Sequence, residues 1–200
     1  MTNHFKRLHG ERGFSLAELM LTLGVATIVG GMAAATMTDA RRTMAGDGAM
    51  RLVMNELTTA REMAMTQHRN VEVQFIGGMW VRLIRRELDS TTTVLRSVAL
   101  EGNMKFSLVP SIPDTPDNFG NGSAVSFGSA LTFQFNGEGA LIDGGGTPIN
   151  GTVFMSYGQK LYSYRAVTVL GSTGRVRGFK AGYRLNPSTG GYTFAGWNRV

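Results

Sequence analysis

Cysteine is absent from the 200-residue chain, and histidine occurs only three times. Without cysteine there is no disulfide framework, no thiolate zinc site and no cysteine nucleophile. The three histidines (His4, His9 and His68) do not form a pair with the spacing of a metal site, and no nucleophile motif is present. The glycine run 144–146 lacks the Lys-Ser/Thr that completes a phosphate-binding loop. We therefore expect no catalytic residue, no metal, no cofactor and no enzymatic activity.

Acidic residues are missing from one part of the chain. Residues 151–200 carry seven Lys or Arg and no Asp or Glu, whereas the whole chain has a net charge of +6. The bases of this segment are Lys160, Arg165, Arg175, Arg177, Lys180, Arg184 and Arg199. Arginine dominates the set, and its planar guanidinium group suits bidentate binding of phosphate. The asymmetry therefore points to a partner of this segment rather than to a fold.

Charged residues are also absent from 19–38. Twenty helical residues at about 1.5 Å each cover about 30 Å, the thickness of a bilayer core. Residues 1–13, which precede this run, contain three bases and one acid. Positive charge beside a membrane span stays on the inner side, so the N-terminus is predicted inside and the C-terminal domain outside.

The junction before the apolar run has an unusual order of features. An ordinary secretory signal is cut beyond its apolar stretch, whereas here Gly13 and Phe14, followed by Ser-Leu-Ala-Glu at 15–18, precede it. This order resembles the class III leader of type IV pilins and type II secretion pseudopilins. The resemblance implies that a prepilin peptidase cuts after Gly13 and methylates the amine of Phe14. It also implies that the apolar helix stays on the mature protein in the inner membrane.

Glu18 is the acidic residue at the start of this helix. A carboxylate at the bilayer centre costs about 2.5–3.5 kcal/mol, so it needs a partner. The family carries a glutamate at the fifth mature position, and the resemblance implies that Glu18 meets the N-terminal amine of a neighbouring subunit during assembly. Alternatively, Glu18 extends toward the lipid head groups. Many major pilins have a proline further along this helix, and its absence between Phe14 and Val109 favours a minor subunit.

Downstream of Thr38, a short polar stretch ends at Gly46-Asp47-Gly48. Apolar residues at 50–64 then recur at helical spacing, which predicts a helix packed on a sheet. Alternating segments predict strands at 71–75, 79–86, 93–100, 104–109, 131–135, 152–157, 163–170, 174–177, 183–185 and 192–194, with a long loop at 110–130. The predicted fold is α+β and pilin-like, with a long N-terminal transmembrane helix packed on an antiparallel β-sheet domain.

The predicted organisation has four parts. Residues 1–13 form a cleaved leader, 14–38 the transmembrane and assembly helix, 39–69 its continuation, and 70–200 the β domain with its basic C-terminal region. The order of motifs at 57–64, 131–139 and 165–177 resembles the GspH/FimT family of minor pilins and pseudopilins over nearly the whole chain.

In the FimT branch of that family, a C-terminal Gly-Arg-x-Arg motif is associated with DNA capture in natural transformation. The tetrapeptide Gly-Arg-Val-Arg at 174–177 fits it. Arg175 and Arg177 are two apart on a predicted strand, so they are expected on one face, with Lys180 and Arg184 extending the patch. Such a stripe would bind the backbone of double-stranded DNA without reading sequence. Most aromatic residues of this region are expected in the core, with Tyr192 and Trp197 exposed for stacking.

The sequence therefore predicts a FimT-like minor pilin of a type IV pilus, which assembles with other pilins through its helix and binds DNA through the C-terminal patch. The predicted location is a single pass through the inner membrane, with the domain in the periplasm and incorporation into a pilus or pseudopilus. The alternative is a GspH-type minor pseudopilin of a type II secretion system, with a structural role and bases that face solvent or pair with acids of neighbouring subunits. A third alternative is a signal-anchored protein that is not cut after Gly13.

Overall fold

A computed structural model describes residues 14–128 and 133–200, so the leader and the predicted cut after Gly13 lie outside the described residues. The described part contains one long helix, α1 (Leu16–Gln67), and a short 3₁₀ turn (Leu161–Ser163). Its strands are β1 (Val71–Ile76), β2 (Trp80–Arg86), β3 (Thr92–Ala99), β4 (Lys105–Phe106), β5 (Val125–Ser126), β6 (Phe133–Phe135), β7 (Leu141–Asp143), β8 (Gly151–Ser156), β9 (Arg165–Leu170), β10 (Arg175–Leu185) and β11 (Tyr192–Arg199). The chain divides into two compact units, of which the first ends at Asp39 and the second is Ala40–Val200.

The first unit holds the apolar part of α1. Leu16–Ala34 is long and apolar enough to cross a membrane, and none of it is buried within the chain. Large apolar side chains such as Leu16 and Met32 are more than two-thirds exposed. Because such a surface is unfavourable in water, the segment fits a single-pass membrane anchor.

The second unit contains the rest of α1, which runs without a break through Gly46-Asp47-Gly48, in line with the predicted continuation of the helix. Gly46 and Asp47 dock the helix onto the β domain. A Cβ at Gly46 would lie 2.8 Å from the backbone oxygen of Ser163, so glycine permits the close approach. Asp47 meets Arg165 in the same contact.

The strands form two antiparallel sheets rather than one. The first has the order β3-β2-β1-β6-β7, and the second the order β11-β10-β9-β8-β4 with β5 also paired to β8. One apolar cluster joins α1 to both sheets. The helix contributes Ala49, Met50, Val53, Leu57, Ala60 and Ala64, all nearly fully buried. The α+β class, with a long N-terminal helix and an antiparallel β domain, is confirmed.

Several local predictions agree with the structure and others need correction. The reversal at Gly77-Gly78 joins β1 to β2, and both glycines have positive φ. The predicted strands 174–177 and 183–185 are parts of one strand, β10. Gly178, at which the prediction breaks, packs against α1, where a Cβ would lie 2.7 Å from the Sδ atom of Met54.

The second sheet has two covered faces. Its inner face contacts α1, whereas a second apolar cluster on its outer face contains Phe154, Tyr164, Ala166, Phe179 and Ala181. Residues of the segment between β4 and β5, among them Leu108, Val109 and Ile112, pack on this outer cluster. This segment contains most of the loop predicted at 110–130, and it covers part of the sheet that carries the basic residues.

Candidate functional site

Glu18 lies in the first turn of α1 and is bonded within its own chain. The Ser15 backbone N–H and the Ser15 hydroxyl donate to Glu18 Oε2 at 2.9 and 3.0 Å. The Glu18 backbone N–H in turn donates to Ser15 Oγ at 3.2 Å. This reciprocal arrangement is a capping box, which satisfies N–H groups that the helix itself leaves unpaired. The Ser-x-x-Glu spacing at 15–18 that signals a capping box is visible in the sequence.

The capping box does not test the predicted contact of Glu18 with a neighbouring amine, which stays a prediction. In the predicted contact, the amine belongs to Phe14 of the neighbouring subunit. Phe14 is 80% exposed. A carboxylate has two oxygens and about four acceptor positions, while the bonds from Ser15 use Oε2 alone. Oε1 therefore has room for a second donor without loss of the cap.

The basic residues of the C-terminal region fall into two groups. Arg165, Arg177 and Lys180 form ion pairs with acids of distant segments. The exposed bases with no ion pair among the described residues are Lys160, Arg175, Arg184 and Arg199. The absence of acids after residue 150 thus does not leave all seven bases free.

Arg177 donates to Asp117, an acid of the long loop, and Asp117 also accepts a 2.6 Å hydrogen bond from Thr168 Oγ1. The Asp117 side chain is only 10% exposed, while that of Arg177 is 27% exposed. The loop is thereby fixed on the outer face of the second sheet, and the charge of Arg177 is largely compensated.

Arg165 and Lys180 lie on the opposite, inner face and share one acid of α1. Arg165 Nε is 2.7 Å from Asp47 Oδ1, and Lys180 Nζ is 3.4 Å from Asp47 Oδ2. Burial of Asp47 alone would raise the pKa of its carboxyl. The hydrogen bond and charge of Arg165, joined by Lys180, outweigh that effect, so the pKa of Asp47 lies below its usual value.

The structure corrects the predicted four-residue patch. Successive side chains of a strand alternate between its faces, and β10 is continuous from Arg175 to Leu185. Arg175 and Arg177 therefore share the outer face, as predicted, whereas Lys180 and Arg184 belong to the inner face. The four residues do not form one surface, and whether any of them binds DNA stays a prediction.

Trp197 is a second correction. Its indole N–H donates to the Pro113 carbonyl at 3.1 Å, and its ring lies 5.4 Å from that of Tyr164 and 5.7 Å from that of Phe194. It is therefore part of the outer cluster rather than a free stacking residue. Tyr192 remains 41% exposed, as predicted.

Sequence reasoning missed that Asp47 and Asp117 are ion-pair partners of basic residues, and it missed the burial of Arg165. The Arg165 side chain is fully buried within the strand sequence RAVTVL. A buried charged residue requires a polar or charged partner, so the sequence indicates that Arg165 has one. The sequence does not identify that partner, because Asp47 lies 118 residues away.

A groove lies between α1 and the edge strand β3, with a volume of about 670 Å³. Glu56 lies in its wall, 5% exposed, and meets Arg96 at 3.0 Å. Burial raises the pKa of Glu56, and the Arg96 charge only partly opposes this. Within residues 14–128 and 133–200, no three His, Asp or Glu side chains are grouped to hold a metal.

Comparison with known proteins gives one limited similarity. No protein-family model and no curated protein match the sequence. Among solved structures, the chain is similar to the minor pseudopilin EpsH from the Type 2 Secretion System of Vibrio cholerae. The identity is 13%, the TM-score is 0.42, and the match covers 64% of this chain and 91% of that chain. EpsH belongs to the class that the sequence motifs resemble, but a similarity of this size supports no conclusion about what the chain does.

Proposed function

We propose that this chain is a minor subunit of a type IV pilus or of a type II secretion pseudopilus, anchored in the inner membrane and assembled through the N-terminal part of α1. One observation supports this function. A single helix has a bare apolar surface over Leu16–Ala34 and builds the core of the β domain over its C-terminal half. The same helix can therefore serve as membrane anchor and as the contact between subunits, with the domain displayed outside.

The composition of the apolar part suits contacts between helices. Beyond the backbone of their own helix turns, Gly24, Gly30 and Gly31 have no atom within 4 Å of the position where a Cβ would be. Small residues let helix backbones approach closely in a membrane. Thr22 and Thr27 donate their hydroxyls to carbonyls of the preceding turn, so these polar groups cost little in an apolar environment.

Processing is the first test of this proposal. The full chain is expressed with and without a prepilin peptidase, and intact-mass spectrometry locates the N-terminus. We expect the peptidase to remove residues 1–13 and to add one methyl group to Phe14. A chain that keeps its leader beside an active peptidase, or that is cut beyond Ala34, contradicts the proposal and favours an ordinary anchor or signal.

Assembly is the second test, and Glu18 is the residue to change. Glu18→Ala is expected to leave cleavage after Gly13 intact and to reduce recovery of the chain in sheared filaments. The matched control is Glu138→Ala, which removes an exposed carboxylate from a turn of the β domain. Equal recovery of the two variants would refute the pairing of Glu18 with a neighbouring amine.

DNA binding is the second candidate function, and the exposure of Arg175 favours it. Arg175 is exposed and has no ion pair among the described residues, whereas Arg177 is bound to Asp117. If the full chain in neutral detergent binds duplex DNA, we expect Arg175→Gln to flatten the log–log salt slope by about 0.9, the value for one phosphate contact. Arg177→Gln is expected to change it less. No binding at low salt would refute this candidate and leave the structural pseudopilin role.

A further inference from the structure

Strand β10 runs beside α1 toward the start of the second unit. At its beginning, Gly174 would place a Cβ 2.8 Å from the side chain of Arg61. Further along, Lys180 is bound to Asp47. Beyond that, the strand ends near Tyr192, whose ring lies 5.7 Å from that of Tyr162.

Tyr162 shows which part of α1 lies beside this last contact. Its hydroxyl accepts a 3.2 Å hydrogen bond from Arg42, and the Arg42 guanidinium lies 4.9 Å from the centre of the Tyr157 ring. The Tyr183 ring lies 5.1 Å from that of Tyr192. The end of β10 and the segment that follows β8 therefore gather around Arg42.

The length of α1 between these contacts agrees with the length of β10 between them. Arg42 and Arg61 are nineteen positions apart on the helix, about 28 Å at 1.5 Å per residue. Gly174 and Tyr183 are nine positions apart along the strand direction, about 30 Å at 3.3 Å per residue. Strand and helix thus cover the same distance in opposite directions, and the hairpin tip at 186–191 extends past the level of Arg42.

That end of the domain is tied to the membrane segment by a short connection. Ala34, the last residue of the candidate span, and Ala40, the first residue of the second unit, are six positions apart. Even in a fully extended chain, six such steps span only about 21 Å. The Ala40 end therefore stays close to the membrane surface in any arrangement of the two units.

The side chains at this end suit an anionic lipid surface. Tyr183, Leu185 and Tyr192 are 36%, 60% and 41% exposed. Tyrosine is enriched where membranes meet water, because its ring is apolar and its hydroxyl is polar. Arg184 is exposed on the inner face of β10, whereas Tyr183 and Leu185 are exposed on its outer face, so the end of the hairpin presents both a base and apolar side chains. Lys160 is exposed beside the Arg42 contact. Residues 151–200 contain no acid that would oppose them.

We propose that this end of the domain docks on the anionic head groups of the membrane that holds α1. The docking surface consists of Lys160, Tyr183, Arg184 and Tyr192, together with Arg41, which is exposed on α1 next to Arg42. The proposal rests on the anchoring by Leu16–Ala34 proposed above. Docking holds this end of the domain against the membrane before assembly, and incorporation into a filament has to release it. Each base near an anionic surface favours the docked state about fivefold.

The absence of cysteine makes the test direct. In the full chain, Ser188→Cys places a spin label at the hairpin tip, and Ser172→Cys places one in the turn at the opposite end of β10. Each protein is reconstituted into nanodiscs of zwitterionic lipid alone or with one-third phosphatidylglycerol. Accessibility to oxygen, which concentrates in lipid, is compared with accessibility to a water-soluble nickel chelate.

We expect anionic lipid to raise the oxygen-to-nickel ratio at position 188 and to leave position 172 unchanged. Arg184→Gln should lower the docked-to-free ratio about fivefold, and Arg41→Gln with Lys160→Gln should remove the rest. Arg175→Gln, the same charge change at the far end, should have no effect. An unchanged ratio at position 188, or equal changes at both labels, overturns the proposal.

Two further outcomes separate this proposal from the others. A label at Val25→Cys reports anchoring alone, and failure to find it in lipid would overturn the membrane anchor and the docking with it. Duplex DNA added to zwitterionic nanodiscs gives the remaining comparison. Protection of position 188 from the nickel chelate by DNA, without a response to anionic lipid, would assign this end to DNA and overturn the docking.

Discussion

Arg165→Met tests the contact that joins α1 to the second sheet. The Arg165 guanidinium is fully buried and donates four hydrogen bonds. Besides the bond to Asp47, it reaches the carbonyls of Tyr162, Tyr164 and Thr43 at 3.1, 2.9 and 3.3 Å. Methionine fills much of the same space but donates nothing, so these acceptors lose their donors.

The expected cost can be estimated in two ways. Removal of one partner from a buried ion pair costs about 3–5 kcal/mol, and the 33% exposure of the Asp47 side chain places this pair at the lower end of that range. Alternatively, four hydrogen bonds from a charged donor at about 1.5 kcal/mol each lose about 6 kcal/mol, of which burial of the methionine returns about 2 kcal/mol. The two estimates give about 3–4 kcal/mol, which corresponds to a fall in Tm of about 10 °C for a domain of this size.

The measurement is thermal unfolding of the full chain in neutral detergent, followed by near-ultraviolet circular dichroism from the aromatic residues of the domain. Arg175→Met is the matched control, because Arg175 is exposed and lacks an ion pair among the described residues. Its Tm should change by no more than about 2 °C. A similarly small change for Arg165→Met would show that Arg165 does not hold the helix to the sheet.

The pH dependence of the same contact has a defined sign. Because the pKa of Asp47 lies below its usual value in the folded chain, its ionised form stabilises the fold above the ordinary carboxyl pKa. That contribution is lost as the pH falls through the lowered pKa. The difference in Tm between the natural chain and Asp47→Asn should therefore be largest near neutral pH and shrink in acid. A difference that grows in acid would refute the ion pair.

Three further predictions concern separate parts of the chain. Glu56→Gln should raise Tm at neutral pH and lose this advantage in acid, because burial raises the pKa of Glu56 and its ionised form destabilises the fold; an equal gain at all pH values would contradict this. Gly46→Ala should lower Tm although alanine favours helices by about 1 kcal/mol, because its Cβ would meet the Ser163 oxygen at 2.8 Å; a higher Tm would exclude this close contact. Ser15→Ala should speed hydrogen exchange of the Glu18 amide about fivefold, the effect of losing about 1 kcal/mol of capping, and unchanged exchange would exclude the capping box.

The elements that follow from local physics were predictable from the sequence. The apolar spacing from Met50 to Ala64 gives a helical face, and that face is buried. The alternation at 71–75 gives β1, and Gly77-Gly78 gives the reversal after it. Each of these depends on residues a few positions apart, so the pattern and its cause lie in the same short segment.

The pairings across long separations were not predictable. Asp47 and Arg165 are 118 residues apart, and Asp117 and Arg177 are 60 apart. Nothing local tells which acid meets which base, since the packing of whole elements decides it. Gly178 shows the same limit, because a glycine in a strand reads as a break until the helix that packs on it is known.

These ion pairs reduce the positive charge that the basic C-terminal region offers to a binding partner. Packing uses Arg165, Arg177 and Lys180, so the charge available to an anionic partner is smaller than the sequence suggests. The remaining charge is also divided, since Arg175 and Arg184 lie nine residues apart, about 30 Å along β10. The two arginines of the Gly-Arg-x-Arg motif are therefore not equivalent. A double substitution would combine the loss of a free charge at Arg175 with the release of Asp117 and its loop, so only the single variants separate binding from folding.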